Sequence, residues 1–459
     1  MEHLQTTEKV HDELLLHRRV DLLLRTGKLL VESLADTNRV VRNMKRTAAF
    51  LGIPEEKLHI NVSFTMLMVN VSDGDYSFTK FQRIDGHGVN MTAISAVSKL
   101  SWRAIENDYT LDQYEEELEE IRKRKRNYTP WQVAVGAGFA CGGFCIQFGC
   151  DWVAFLYASI AAIIGMRVRA KCNESGLNHY MGIAIAAFIS TMLAWASTLL
   201  PASWTTTPWH PLLACALFIV PGVPLINFVD DMLDNYIQVG IVRAVNTLLM
   251  VSAMAFGIAF AVKICHIENF FPTISMVPHH NYIEYAIAAA ISAMGFSMIF
   301  NIPRRLLWVV AIGGIIAVCT RNFVNLGPST DNIGLDMGLV IGSFGGSVLV
   351  SLIAIKAVHW FHCPNHVLTI PSVIPMIPGV LMYRMLFGII NMNVESPEQI
   401  SILMKAIQSG ITSGMVILCI SLGVAIPNIF GRKYIAKEKN KRLKEILAER
   451  RARGKFVEW

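Results

Sequence analysis

Apolar positions along the chain change period twice before they merge into long runs. From about Glu8 to Arg46, Leu16, Val20, Leu23, Leu30 and Leu34 recur at helical spacing, which predicts one or two amphipathic helices. The period then falls to two: Ile60, Val62, Phe64 and Met66 alternate with Asn61, Ser63 and Thr65, as in a half-buried strand. Asp73-Gly74 is a hairpin signal, and Tyr76 to Ile84 reads as the returning strand. Helical spacing resumes at about Thr92 to Ile105. It recurs from Thr110, where Thr110 and Gln113 suit a capping box and Leu111, Tyr114, Leu118 and Ile121 share one face. Residues 1–128 are therefore expected to form a small α+β domain on the cytoplasmic side.

After Pro130 the runs lengthen, and several reach the ~20 apolar residues that a bilayer-spanning helix needs. Ten spans are expected, near 131–149, 152–168, 180–200, 209–229, 243–263, 283–301, 304–320, 336–357, 367–390 and 401–427. The uncharged stretch Tyr180 to Leu200 is the clearest. The predicted fold is thus a polytopic α-helical membrane protein, with five-helix segments at 129–268 and 280–428 and a basic cytoplasmic tail at 429–459.

Composition agrees: 53% of the 459 residues are apolar and 17% charged, against roughly 25% charged in soluble domains. The mean hydropathy of +0.43 averages two unlike regions. The nine cysteines are scattered, odd in number and mostly inside apolar runs, which reads as packing, not as a disulfide framework. Met1 to Val10 is polar and no cleavable signal peptide is expected, so the front domain should stay where it is synthesised.

Charge sets the expected orientation. With the front domain inside, inner loops hold Arg167, Arg169, Lys171, Arg243, Arg304, Arg305 and Lys356, while outer loops hold essentially Lys263, Arg321 and Lys405. Both termini are expected in the cytoplasm, with Trp204 and Trp209 in an outer interfacial belt. The basic runs Arg122 to Arg126 and Arg432 to Lys455 border the membrane region; they read as topology-setting charge, with no nucleic-acid partner.

The apolar half also carries an internal echo. Gly143-Phe144-Cys145-Ile146-Gln147-Phe148 is similar to Gly295-Phe296-Ser297-Met298-Ile299-Phe300, and Ile163-Ile164 meets Ile315-Ile316 at the same offset. Pro221-Gly222-Val223 in the fourth expected span returns as Pro378-Gly379-Val380 in the ninth. Chance likeness between apolar segments is the alternative. If the repeat is real, five spans is an odd number, so the halves enter the membrane in opposite directions. Such a 5+5 inverted repeat is an architecture of secondary transporters, whose solute sites lie at interrupted helices. A mid-helix Pro removes a backbone donor, and the carbonyl it frees must be satisfied by protein, water or ligand; a packed kink is the plainer reading.

The candidate site follows from those breaks. Beyond Pro221 and Gly222, Asn227, Asp230, Asp231 and Asp234 fall on one flank of the fourth span, with Arg243 shortly after. A carboxylate within the membrane costs about 2.5–3.5 kcal/mol on insertion scales and marks a functional candidate. Hydrated acids at the inner interface, or acids paired with Arg243, are the alternatives. Beyond Pro378 and Gly379, Tyr383 and Arg384 could hold an acid or a solute carboxylate, unless Arg384 snorkels to headgroups. Asp151 and Asp336 read as interfacial. Gly338, Gly342 and Gly346, and Gly138 with Gly142, read as small-residue packing stripes. His359, His362, Cys363 and His366 lack a second ligand cluster, so no metal is expected. Asp73, Asp75, Asp85 and His87 accompany no convincing nucleophile, so neither an enzyme nor a cofactor is expected.

Together these residues make the chain similar to the threonine/serine exporter family. The resemblance is carried by Ser72-Asp73-Gly74-Asp75 and Arg83, by Pro221 to Asn227 with Asp230, Asp231, Gly240 and Arg243, by Ile302-Pro303-Arg304-Arg305, and by Val373 to Gly379 with Tyr383-Arg384. It spans about Leu15 to Ile426 and looks like the fused form of a family that also exists as two subunits. It implies proton-driven export of threonine and serine across a bacterial inner membrane. Split relatives are linked to dicarboxylate (succinate) export. The chain departs from the family pattern at Phe228 and at Asn235-Tyr236, where a small residue and a Gly-His-like pair are usual.

The expectation is a secondary-active exporter in which Asn227, Asp230 and Asp231 face Tyr383 and Arg384. Its partners would be a small solute (amino acid or dicarboxylate), protons and the bilayer; homo-oligomerisation is left open. A passive channel, a membrane-bound hydrolase and a non-transporting scaffold are the rivals.

Overall fold

The computed structural model describes residues 2–72, 76–201, 203–267, 280–328, 332–361, 363–390 and 397–452. These fall into two compact units: Met1–Lys125 with Asp230–Val242 and Ile429–Trp459, and Arg126–Val229 with Arg243–Asn428.

The first unit opens with α1 (Glu2–Glu32) and α2 (Thr37–Phe50), so the amphipathic stretch is two helices. The break is local. Leu34 turns left-handed (φ 60°), and Asp36 then caps α2 by accepting the Arg39 backbone N–H at 2.8 Å and the Arg39 Nε at 2.9 Å. Strands β1 (Leu58–Val62), β2 (Met66–Ser72) and β3 (Ser77–Arg83) form an antiparallel meander. Here the single strand expected through Met66 is corrected. Ser63 donates its N–H and hydroxyl to the Met66 carbonyl, each at 2.9 Å, and folds the chain into a hairpin. The inward positions of β2 are consequently Leu67, Val69 and Val71. The Asp73-Gly74 turn lies outside the described residues.

Helices α3 (Met91–Glu106) and α4 (Leu111–Lys123) complete the layer, and the Thr110–Gln113 capping box forms with both reciprocal bonds. Tyr114 is fully buried and its hydroxyl meets Thr26 Oγ1 at 3.0 Å and Thr47 Oγ1 at 3.1 Å, tying α4 to α1 and α2. On the outer face of α4, Arg18 pairs with Asp112 and Glu115, and Arg25 with Glu115 and Glu119. Hydrogen bonds from Arg122 first, then Arg25 and Lys123, hold the Glu119 carboxyl down at about 2.

The basic tail is not a free run of charge. It continues the last helix, α16 (Pro397–Ala452), whose end packs within this first unit. Arg442 pairs with Glu106 at 2.7 Å, and Arg450 with Asp108 at 2.7 Å, its guanidinium 5.5 Å from the Phe50 ring centre. A cation with so little solvent access needs both partners.

The second unit is helical: α5 (Pro130–Gln147), α6 (Trp152–Glu174), α7 (His179–Trp195), α8 (Pro211–Ala214), α9 (Gly222–Leu233), α10 (Ile237–Ile264), α11 (Tyr282–Ile299), α12 (Leu307–Asn325), α13 (Leu339–Phe361), α14 (Asn365–Val373) and α15 (Gly379–Ile390), with the first part of α16. Among the described residues seven helices are long and apolar enough to cross a membrane, and nine spans result if each of two bent pairs counts as one. The first expected span is α5, which is glycine-rich with glutamine near both ends and is not among them. Leu156, Ile160, Leu248, Phe256, Ile287, Ile312, Leu352 and Ile411 are exposed large side chains on six helices. Apolar exposure on that scale needs an apolar solvent, and the chain is a polytopic membrane protein.

Small residues let α5 and α11 touch at backbone distance. A Cβ on Gly136 would lie 2.9 Å from the Gly295 carbonyl, one on Gly295 2.4 Å from the Gly136 carbonyl, and one on Gly143 2.6 Å from the Ala288 carbonyl. Rising numbers in α5 meet falling numbers in α11, so the two run antiparallel. Gly342 and Gly346 pack likewise against the Arg321 and Ala317 carbonyls of α12. Gly338 does not: it has φ 86° and open space around it, and serves as a turn before α13.

Gly295→Ala should destabilise the full-length protein by about 1–3 kcal/mol, because the added methyl meets backbone; Gly414→Ala, with open space at its Cβ, should not. Thermal unfolding in detergent reads the difference. Glu119→Gln should lower stability slightly at neutral pH, by at most about 1 kcal/mol for an exposed cluster. Because the folded carboxyl sits below its unfolded value, that contribution is full above the unfolded pKa and fades as pH falls toward about 2. Equal unfolding gaps at pH 7 and pH 3 would contradict the assignment.

Candidate functional site

Both Pro-Gly motifs break helices, and the two breaks are built alike. The pair Pro211–Ile219 and Gly222–Leu233 bends by 58°, and the pair Asn365–Met376 and Gly379–Leu386 by 57°. At the first, the Gly222 N–H turns back to the Val220 carbonyl at 2.8 Å and Leu225 N–H reaches the Pro221 carbonyl at 2.9 Å. At the second, Gly379 N–H meets the Ile377 carbonyl at 2.9 Å and Met382 N–H the Pro378 carbonyl at 3.2 Å. Proline supplies no N–H at either bend, so these turns satisfy groups that an unbroken helix would have paired.

The breaks also pack on one another. A Cβ on Gly222 would come within 2.2 Å of Ile374 Cδ1 and 3.0 Å of Ile377 Cδ1, and one on Gly379 within 2.7 Å of Leu217 Cδ2 and 3.1 Å of Val220 Cγ2. Tyr383, fully buried, donates its hydroxyl to the Leu213 carbonyl at 3.1 Å. Thus Pro221, Gly222, Pro378, Gly379 and Tyr383 come together in the second unit. Asn227 and Arg243 belong to that unit and are buried; Arg384 is partly buried there.

The acids of α9 belong to the first unit. Asp231 accepts the Thr37 backbone N–H at 2.8 Å, and Asp234 accepts the Asn38 side-chain amide at 2.6 Å. Carboxylate oxygens of Asp36 and Asp230 lie within 4.8 Å of each other. Asp230 and Asp231 are 3% and 1% exposed, so neither is a hydrated surface acid. Asp231 and Asp234 share the N-terminus of α2 as partner, where backbone N–H groups and the positive dipole end favour negative charge. Reading the chain did not find these partners. Asp36 has the residue type of an N-cap, but nothing local shows which distant acid an N-cap will meet. Asn235, where a glycine is usual, takes φ 68° in the turn from α9 to α10, a conformation asparagine tolerates.

Asp151 caps α6 through the Ala154 N–H at 2.7 Å and also accepts from Thr205 and Thr206, a structural role. Of the residues weighed as zinc ligands, His359 and His362 lie outside the residues whose side chains are described, as do Asp73 and Asp75.

A multi-pass helical membrane protein with two paired helix breaks is the build of a membrane transporter. The model described as "Putative threonine/serine exporter" matches residues 21–265, and that described as "Threonine/Serine exporter, ThrE" matches residues 285–430. The chain belongs to the threonine/serine exporter family, a family of transporters. A "Probable threonine/serine exporter" of Mycobacterium tuberculosis is 20% identical over 82% of this chain and 71% of its own length. The "Probable succinate transporter subunit YjjP" of Escherichia coli is 25% identical over 53% of this chain and 93% of its own, and that of Klebsiella aerogenes 24% identical over 52% and 91%. No solved structure gives a significant match.

Removing the Asp231 carboxylate should take the acceptor from the Thr37 N–H while the Asp36 cap of α2 stays in place. Asp231→Leu is expected to speed amide exchange at Thr37, whereas Asp231→Asn, which keeps an acceptor oxygen, should leave it near wild type; equal exchange in both variants would count against the contact.

Proposed function

We propose that the protein is a secondary-active exporter of small carboxylate-bearing solutes, threonine and serine in the first place, driven by protons. The observation that carries this reading is the pair of matched Pro-Gly breaks packed on each other. The contacts are reciprocal: Gly222 lies against Ile374 and Ile377 as Gly379 lies against Leu217 and Val220, and these are equivalent positions under the offset that carries Gly222 onto Gly379. Likewise Gly136 meets Gly295 as Gly143 meets Ala288, again equivalent under the offset that carries Gly143 onto Gly295. Contacts that exchange in this way, between antiparallel helices, are what a two-fold axis in the membrane plane would produce. They support two inverted five-helix halves, 129–268 and 280–428, behind a cytoplasmic domain at 1–128.

In this reading the solute passes the opened backbone at Pro221, Gly222, Pro378 and Gly379, flanked by Asn227, Arg243, Tyr383 and Arg384, and rocking of one half on the other alternates access. Asp230, Asp231 and Asp234 carry the proton step. Burial of Asp230, with a carboxylate oxygen within 4.8 Å of one of Asp36, supports this assignment. The distribution of Lys and Arg supports an inner-membrane location with both termini cytoplasmic. Succinate is the second reading, favoured by the two YjjP relatives.

Counterflow in proteoliposomes tests this. Labelled threonine or serine should exchange saturably against unlabelled solute, and net efflux should collapse with the proton gradient and in Asp230→Asn. Flux linear in concentration without counterflow would make the protein a channel instead.

A further inference from the structure

The expected topology places Arg321 in an outer loop, but it lies inside α12, four residues before the end of that helix at Asn325. Its guanidinium donates to Asn322 Oδ1 from Nε at 3.1 Å and from Nη2 at 3.0 Å, and reaches Gln147 Oε1 at the end of α5 at 3.4 Å. Both acceptors are neutral amides. The titratable groups within electrostatic reach are the Tyr285 phenol and the Cys319 thiol, and among the described residues no carboxylate pairs with it. Asn322 and Tyr285 are 2% and 1% exposed. Asn322 turns its carbonyl oxygen to the arginine, and its Nδ2 has no acceptor among the described residues. Among the described residues the cluster therefore offers a guanidinium and a buried amide donor with no carboxylate to balance them.

An isolated cation in a membrane helix is costly, and a cation held only by neutral amides keeps most of that cost. A planar guanidinium is relieved best by a carboxylate or phosphate, which it binds through two parallel N–H groups. The offset that carries Gly143 onto Gly295 also carries Arg169 of α6 onto Arg321, so each half holds an arginine at the matched place.

We propose that Arg321, with the amides of Asn322 and Gln147, is a recognition subsite for the carboxylate of the transported solute. This deepens the exporter reading and rests on it. The subsite lies wholly within the second unit, apart from both Pro-Gly breaks in sequence, and would receive the solute at the end of the path where the α5–α6 turn lies.

The test compares full-length wild type, Arg321→Gln, Arg321→Lys and Asn322→Ala in proteoliposomes, by counterflow of threonine and succinate, with threoninol, which lacks the carboxylate, as competitor. Arg321→Gln should raise KM for threonine and succinate about tenfold or more, the loss of one charged hydrogen-bonded pair, with partial recovery in Arg321→Lys. Threoninol should compete equally weakly in both proteins. Unchanged KM in a folded Arg321→Gln protein, or an unchanged preference for threonine over threoninol, overturns the proposal. If Arg321→Gln does not fold, Asn322→Ala decides: KM must rise with kcat unchanged. Vesicles with and without phosphatidylglycerol separate the other source of an anion. A variant that loses only its dependence on that lipid places a headgroup phosphate at Arg321 and overturns a solute site. Absence of any counterflow in wild type would instead strike the exporter reading, distinguishable from failure of the variants alone.

Discussion

Backbone N–H and C=O groups cannot be left unpaired in hydrocarbon, and that constraint governs how this protein can have broken helices at all. At Pro221 and Pro378 the ladder is interrupted, and the chain answers both times with the same turn, in which the glycine N–H bonds the carbonyl two residues back. Each glycine then gives the room in which apolar side chains of the opposite break can close over the bend. Neither break is plausible alone. Each is sealed by the other, so the pair forms a single structural element.

That arrangement asks for close approach elsewhere. Ridge packing of large side chains would hold α5 and α11 roughly 8–10 Å apart, whereas Gly136, Gly143 and Gly295 bring backbone carbonyls to where a Cβ would stand. At the centre of this seam Ser292 donates its hydroxyl to the Ala140 carbonyl at 3.2 Å. Where the chain enters α5, Arg304 holds the Asn127 carbonyl through Nη2 at 2.8 Å and through Nε at 3.2 Å. The Ile302 to Arg305 motif thus has a physical task, fixing the start of α5 to the turn that follows α11.

The first unit is more than a domain preceding a membrane region. It includes the acidic end of α9, the start of α10 and the end of α16. The α2 N-terminus provides the donors for Asp231 and Asp234, and Asp108 and Glu106 receive the arginines of α16. The carboxylates proposed to move protons are therefore bound up with a polar layer contributed by the front of the chain, which gives that layer a reason to be fused to the transporter.

Much of this was legible from residue pattern alone. Period and run length identified the membrane class, the front α+β elements and the Thr110 cap, because helical and strand spacing and apolar length are local properties. The Pro-Gly motifs marked the breaks, since a missing donor is written in the residue type. What only the tertiary structure decided are the partners: Asp36, Thr37 and Asn38 for the α9 acids, Ile374 and Ile377 for Gly222, Asn322 and Gln147 for Arg321, and Asp108 for Arg450. The hairpin at Ser63 went unread because its alternation continued across the turn, and Arg321 was assigned to a loop because the apolar run of that span stops there, while the helix continues to Asn325. A contact between residues far apart in the chain leaves no trace in local spacing, and the burial that makes a charge functional exists only once helices have packed around it.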